Sequence, residues 1–381
     1  MRKVLLVVLA AALVLTGFVG CSTKPAASNK AIKIGMSMPL TGAVALNGEQ
    51  ISKGAKLAIK QQNAKGGING RQIELVLQDD RSDPKEGANI ANMFAQDADV
   101  VAVICNANSS VYLAAAPIYN KATLPSISPD CSSPLLTNAG PYINRITLSD
   151  ALQGKKEAEF VWEDGYKKVG MFFENSDFGR GVYGAFDNRF KELGGTLLTA
   201  QSAVLGESKD FSPIITIFRN LGCEAIAIGA NYTESALLIK QMKNADFNVP
   251  AYGTQGLFTP SFIKIGGEGV EGTFTHGGVT LEAPTPQLLQ FQKDYEAEYK
   301  VTGEIGKYSS EGYDVANIFI EALLKVGPDR VKIGDYVRNQ MTTFVGAQTT
   351  YTFLHNGDVD FTLHRFIVKD GQFKLYVPPT K

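Results

Sequence analysis

The chain reads as an α/β protein of two doubly wound lobes, and three observations predict it. Apolar strand-like runs alternate with helical stretches along most of the 381 residues, and such alternation gives parallel sheets covered by helices on both faces. The length suggests two domains rather than one. At about Ala151 the pattern begins again, with a local echo between "KIGMSMPLTG" and "KVGMFFENSDFG". With 44% apolar and 20% charged residues, there is ample material for a core.

Each element follows in turn. "AIKIGMSMP" (Ala31–Pro39) reads as a buried strand. Gly48–Ala64 puts Ile51, Ala55, Leu57, Ala58 and Ile59 on one broad helical face and stops at Gly66-Gly67. "RQIELVLQDD" is the second strand, and Asp83-Pro84 opens a helix with proline at an early position that tolerates it. "DVVAVIC" is the third strand. "NANSSVYLAAAP" then starts a helix whose first turn leaves backbone N–H groups without helical partners, and Ser109 and Ser110 are residues suited to cap it. "LPSISPD" is a short fourth strand. The second half repeats helix and strand from "ALQGKKEAEFVWEDGY" to "PAYGTQG". After "EGTFTHGG", two longer helices precede a β-rich tail in which Asn356-Gly357 and Asp370-Gly371 suit tight hairpin turns.

Composition and motifs exclude several classes. The formal charge is −1, and without residues 1–20 it is −3, so there is no electrostatic footprint for nucleic acid. "GEGVEG" (Gly267–Gly272) satisfies GxGxxG but does not run from a strand into a helix, so it reads as a turn and not a dinucleotide site. There is no P-loop, no HExxH and no GxSxG elbow. His276, His355 and His364 are scattered, and the cysteines lack metal-ligand spacing. No cofactor, metal or enzymatic activity is expected.

Met1–Lys3 is basic and Val4–Gly20 is an apolar run, the pattern of an export signal; the run is short for a bilayer-spanning helix of about 20 residues. An exported chain can oxidise one pair among Cys105, Cys131 and Cys223 and must leave one over. A Cys105–Cys131 bridge is one option, since each follows an apolar strand-like run.

Doubly wound lobes bind ligands beyond the carboxyl ends of their strands. "MPLTG", "NANSSV", "SPDCSS", "GANYTES" and "GTQGLFT" all lie there and are polar, glycine-rich or hydroxyl-rich. They are expected to converge on one cleft. In the second of them, the hydroxyls either cap their own helix or await a ligand's carboxylate, because a helix N-terminus is a ready anion site.

Family resemblance enters at these same residues. The segment from "IGMSMPLTGAVALNGEQ" to "LQDDRSDP" resembles the substrate-binding proteins that serve branched-chain amino-acid ABC transporters. The similarity continues through "NSSVYLAAAPIYNKATLPSISPDCSSPLLT", "RITLSDALQGKKEAEF", "GANYTESALLIKQM" and "EGYDVANIFIEAL". It implies a type I periplasmic binding protein fold that binds without chemistry. Lobe 1 is then residues 31–149 plus 278–350, and lobe 2 is 150–277 plus 351–381. A hinge of three crossings follows, near 148–151, near 276–280 and around Thr349–Leu354.

The resemblance also implies the site. Ser109, Ser110, Cys131 and Ser132 would meet a ligand carboxylate. Asp130, Asp150, Tyr232 and Gln255 would meet its ammonium, and Leu46, Asn47 and Tyr308 would line the side-chain pocket. Gln255 stands where glutamate is common in amino-acid binders of this family. Either Asp150 suffices for an ammonium, or the ligand is an amide or a carboxylate without an amine. Asn47 stands where an aromatic residue is common.

Phe18-Val19-Gly20-Cys21 resembles the lipobox of bacterial lipoproteins. Residues 1–20 would be the signal peptide, Cys21 the lipidated first residue and 21–30 a tether; a cleaved, unanchored exported protein is the alternative. The expectation is therefore a monomeric solute-binding lipoprotein, held at the periplasmic or extracellular membrane face by its lipid anchor. It would capture a small polar ligand, most simply a branched-chain or related amino acid, and deliver it to an ABC transporter permease. A ligand-sensing receptor subunit is the alternative.

Overall fold

The computed structural model describes residues 30–42, 44–278, 284–302 and 306–378. The expected signal segment, Cys21 and all of the tether but Lys30 lie outside the described residues. Among the described residues, no helix is long and apolar enough to cross a membrane.

The first half forms a five-stranded parallel sheet of β1 (Ile32–Met38), β2 (Ile73–Asp79), β3 (Val100–Cys105), β4 (Ser126–Ser128) and β5 (Ile143–Arg145), in the order β2-β1-β3-β4-β5. Every residue of β3 is buried, as a strand covered on both faces requires. Helices α1 (Ala45–Ala64), α2 (Pro84–Gln96) and α3 (Ser109–Lys121) connect these strands. Asp83 caps α2 by accepting from the Lys85 and Glu86 N–H groups, with Pro84 at the first helical position.

The second half repeats the scheme with α4 (Asp150–Glu163), β6 (Lys168–Glu174), α5 (Asp177–Glu192), β7 (Thr196–Ala203), α6 (Ser212–Asn220), β8 (Ala225–Gly229), α7 (Tyr232–Asn244), β9 (Ala251–Gly253), α8 (Pro260–Gly266) and β10 (Phe274–Gly277). Three helices follow: α9 (Pro286–Tyr299), α10 (Lys307–Val326) and α11 (Arg330–Asp335). α10 crosses α1 backbone against backbone at Gly54 and Gly312. The tail supplies a small antiparallel sheet, β11 (Thr343–Val345), β12 (Thr350–Phe353) and β13 (Val359–Asp360), and then β14 (His364–Lys369) and β15 (Gln372–Leu375). The last two extend the second sheet, whose order is β15-β14-β10-β9-β8-β6-β7.

Both tail turns carry the expected dipeptides. Asp370 and Gly371 take φ of +55° and +67°, the mirror-image geometry that matches strand twist in a two-residue hairpin. Gly357 takes φ of +94°, and a Cβ there would lie 2.4 Å from the Ile143 carbonyl oxygen. That turn is pressed against β5: Asn138 N–H donates to Asn356, Arg145 N–H to Gly357, and the Arg145 guanidinium pairs with Asp358. This corrects two sequence expectations. A crossing at Thr349–Leu354 would fall inside β12, and residues 351–360 do not join the second sheet. The chain first reaches that sheet at β14, so it passes over at 361–363. The option of a Cys105–Cys131 bridge also fails, since Cys105, Cys131 and Cys223 are buried free thiols.

His276 in β10 is fully buried, edge-on to Phe160 at 6.1 Å between centroids, with neither ring nitrogen hydrogen-bonded among the described residues. Burial, with the Arg365 and Lys307 charges, pushes its pKa down to about 3. The folded chain therefore refuses a proton that the unfolded chain accepts near 6.5. His276 contributes stability above that value and loses it on acidification, by about 2 kcal/mol at pH 5. His276→Phe is expected to flatten the fall in melting temperature between pH 6.5 and 5, measured by thermal denaturation across that range.

Candidate functional site

Four strand ends on the first sheet are tied together before any ligand is considered. Asn106, in left-handed backbone (φ +52°), donates its N–H to Ser37 and its side-chain amide to Asp80 and Ser37. Its carbonyl accepts from the Ser128 hydroxyl at 3.0 Å. Ser109 extends this tie instead of capping its own helix. Its hydroxyl oxygen accepts from the Ser132 and Ser133 N–H groups at 3.2 and 3.1 Å, and no side chain caps α3. The loops after β3 and β4 thus form one rigid polar wall.

The second sheet supplies the facing wall from the ends of β6, β8 and β9. Ser176 caps α5 by accepting from Gly179 N–H, and Asn231 donates to the Glu174 carboxylate at 2.5 Å. Gln255 opens a short 3-10 turn, donating its amide to the Thr147 hydroxyl while its Oε1 is buried without a partner among the described residues. Between the walls lies a cavity of about 410 Å³. Ser109, Ser110, Asp130, Ser132, Gln255 and Tyr308 line it, all of them read from the sequence.

Ser110 spans the cleft. Its hydroxyl donates to Asp177 at the start of α5 at 2.6 Å, joining the first-sheet wall to the second. A hydrogen bond to a charged group contributes about 1.5–3 kcal/mol. Asp177→Ala removes this link without touching the loops after β3 and β4. It is expected to favour the open form and to raise ligand Kd roughly five- to thirty-fold, as a loss of about 1–2 kcal/mol for a partly exposed link implies; calorimetric titration measures this.

Other expected residues lie elsewhere. Cys131 turns into the core, its thiol donating to the Asn106 carbonyl at 3.3 Å, so it presents no side chain to the cavity. Leu46 is 40% exposed, on the outward face of α1. Asn47 and Tyr232 are buried without lining the cavity. Asp150 is wholly buried at the start of α4, also off the cavity wall, and neither carboxylate oxygen has a hydrogen-bond partner among the described residues. Burial pushes its carboxyl well above the usual range, and the nearby Arg145 charge opposes it without prevailing. Asp130 is on the wall but is ion-paired with Lys307.

Lys307 is the principal residue that sequence reasoning missed. It is 2% exposed, lines the cavity, and lies 3.6 Å from Glu311 and 4.9 Å from the centre of the Tyr308 ring. Burial works against its charge, but Asp130 and Glu311 outweigh it and hold the pKa above the ordinary lysine value. Arg81, Glu174, Asn175, Arg180 and Asn231 also line the cavity. Glu174 and Asn175 had a signal, the polar stretch beyond "MFF" that echoes "MPLTG". Lys307 had none.

The family model described as "Periplasmic binding protein" matches residues 31–364. A Leu/Ile/Val-binding protein homologue from Brucella suis is 32% identical over 250 residues, 65% of this chain and 67% of the relative. A leucine-binding protein structure from Thermotoga maritima aligns with a TM-score of 0.83 at 29% identity, covering 91% of this chain and 98% of that one. A branched-chain amino acid transporter substrate-binding protein from Streptococcus pneumoniae, in complex with isoleucine, gives 0.84 at 26% identity, covering 91% and 100%.

Proposed function

Because the chain belongs to the periplasmic binding protein family, in the group of Leu/Ile/Val-binding relatives, we propose that it captures a small carboxylate-bearing solute, an amino acid or a close analogue, between its two lobes for an ABC importer. One observation carries this reading: a polar cavity enclosed by strand-end loops of both sheets, where doubly wound folds hold ligands. Closure about the bound solute is a hinge motion that converts occupancy into a shape a membrane permease pair can distinguish.

On this reading the protein acts as an exported monomer. Cys21 carries the lipid that tethers it outside the cytoplasmic membrane, because more than one acyl chain is needed for stable anchoring. The site residues keep the roles their placement allows. Ser109, Ser132 and the α3 N-terminus receive the carboxylate. Gln255 faces it from the other lobe, and Tyr308 closes one side.

A thermal-shift screen of amino acids, hydroxy acids, keto acids and simple amides tests the reading. A ligand at a thousand times its Kd stabilises by about 4 kcal/mol, well within detection. A shift with one chemical series supports solute capture, and no shift with any of them counts against it.

A further inference from the structure

An α-ammonium entering this cavity needs an open acidic acceptor, and the wall does not offer one. Of its two carboxylates, Asp130 is paired with Lys307 and Glu174 already accepts from Asn231. Asp150 and Glu311, both of whose carboxylate oxygens lack a hydrogen-bond partner among the described residues, are off the wall. Gln255 presents a neutral Oε1 without a partner, an acceptor suited to a hydroxyl or an amide N–H. The wall is well supplied with donors. The Lys307 ammonium has three N–H groups, of which Asp130 takes one while Glu311 at 3.6 Å is beyond hydrogen-bond reach. A buried ammonium with unused donors lies beside the carboxylate-receiving loops, since Asp130 and Ser132 are two residues apart.

We propose that Lys307 is a specificity-determining residue: its side-chain ammonium occupies the place against Asp130 that a ligand's ammonium would need, and the cleft therefore selects carboxylates whose α-substituent is uncharged, hydroxy acids above all. This deepens the solute-capture reading and rests on it. The ligand carboxylate takes the Lys307 donors and the α3 N-terminus. Its hydroxyl donates to Gln255 Oε1. A free amino acid would bring a second ammonium against Lys307 with no open carboxylate on the cavity wall to receive it.

The test compares matched pairs by calorimetric titration: lactate against alanine, and the hydroxy acid analogue of leucine against leucine. Wild type is expected to bind the hydroxy acid of a pair at least about ten-fold more tightly, the scale of one charge-assisted hydrogen bond. Lys307→Ala opens Asp130 and is expected to reverse the order. Gln255→Leu leaves the Lys307 region intact, and it is expected to weaken the hydroxy acid about ten-fold by removing the acceptor to which its hydroxyl donates. It keeps the proposal testable if Lys307→Ala does not fold. Preference of wild type for the amino acid overturns the proposal, as does an unchanged order in folded Lys307→Ala or an unchanged hydroxy-acid affinity in Gln255→Leu. Failure of both series to bind sinks the solute-capture reading as well, whereas tight binding of amino acids alone sinks only the role given to Lys307.

Discussion

Arg145→Met is expected to destabilise the protein by about 3–5 kcal/mol, the cost of stranding a buried charge partner and its acceptors. Arg145 is 1% exposed at the end of β5. Its guanidinium donates to Asp358 at 2.8 Å, to the Ser133 carbonyl at 2.8 Å and to the Thr137 hydroxyl at 2.6 Å. Methionine fills much of the volume but satisfies none of these groups. The affected carbonyl belongs to the residue after Ser132, so the loop after β4 loosens with the fold. Chemical denaturation measures the loss. Arg145→Met combined with Asp358→Leu is expected to be less destabilised than Arg145→Met alone, because removing both partners leaves no stranded charge. Equal loss in the two variants would assign the cost to packing instead.

Gly312→Ala carries the second large effect. A Cβ at Gly312 would lie 2.0 Å from the Ile51 carbonyl oxygen, an atom of the α1 backbone that cannot rotate aside. α1 and α10 must separate, and overpacking of this kind costs about 1–3 kcal/mol or more. Lys307 and Tyr308 open α10, so the same displacement moves the cavity wall and is expected to lower ligand affinity together with stability. Gly184 in α5 supplies the contrast. A Cβ there meets nothing within 4 Å, so Gly184→Ala is expected to gain about 0.5–1 kcal/mol from helix propensity alone. Paired melting curves and one titration per variant decide both.

The fold was legible wherever burial on both faces leaves a mark in composition. "VVAVIC" and "CEAIAIGAN" admit few readings other than covered parallel strands. The placement of the tail was not legible. Its strands alternate apolar and polar residues, and such a pattern states which face is buried but not which sheet supplies the partner. The contacts that hold 356–358 on the first sheet come from Asn138 and Arg145, more than 200 positions away in sequence.

At the site, the loops past strand ends announced themselves by their small polar residues, and Ser109, Ser132 and Gln255 reach the cavity. Side-chain direction within a loop has no such signature, so nothing in "SPDCSS" shows that Cys131 turns inward while Ser132 turns out. Lys307 was invisible for a related reason. At a helix start a lysine reads as solvated, and its partner Asp130 is 177 residues distant. Only the crossing of α1 and α10 at two glycines brings it into the cleft.

On this reading one small carboxylate is held by both walls at once. The most direct measurement is calorimetric titration of the best-stabilising compound into wild type, Ser132→Ala and Gln255→Ala. Each variant, one from either wall, is expected to bind about ten-fold or more weakly while its unliganded melting temperature stays near that of wild type. Unchanged affinity in both variants would place the ligand outside this cavity and contradict the account.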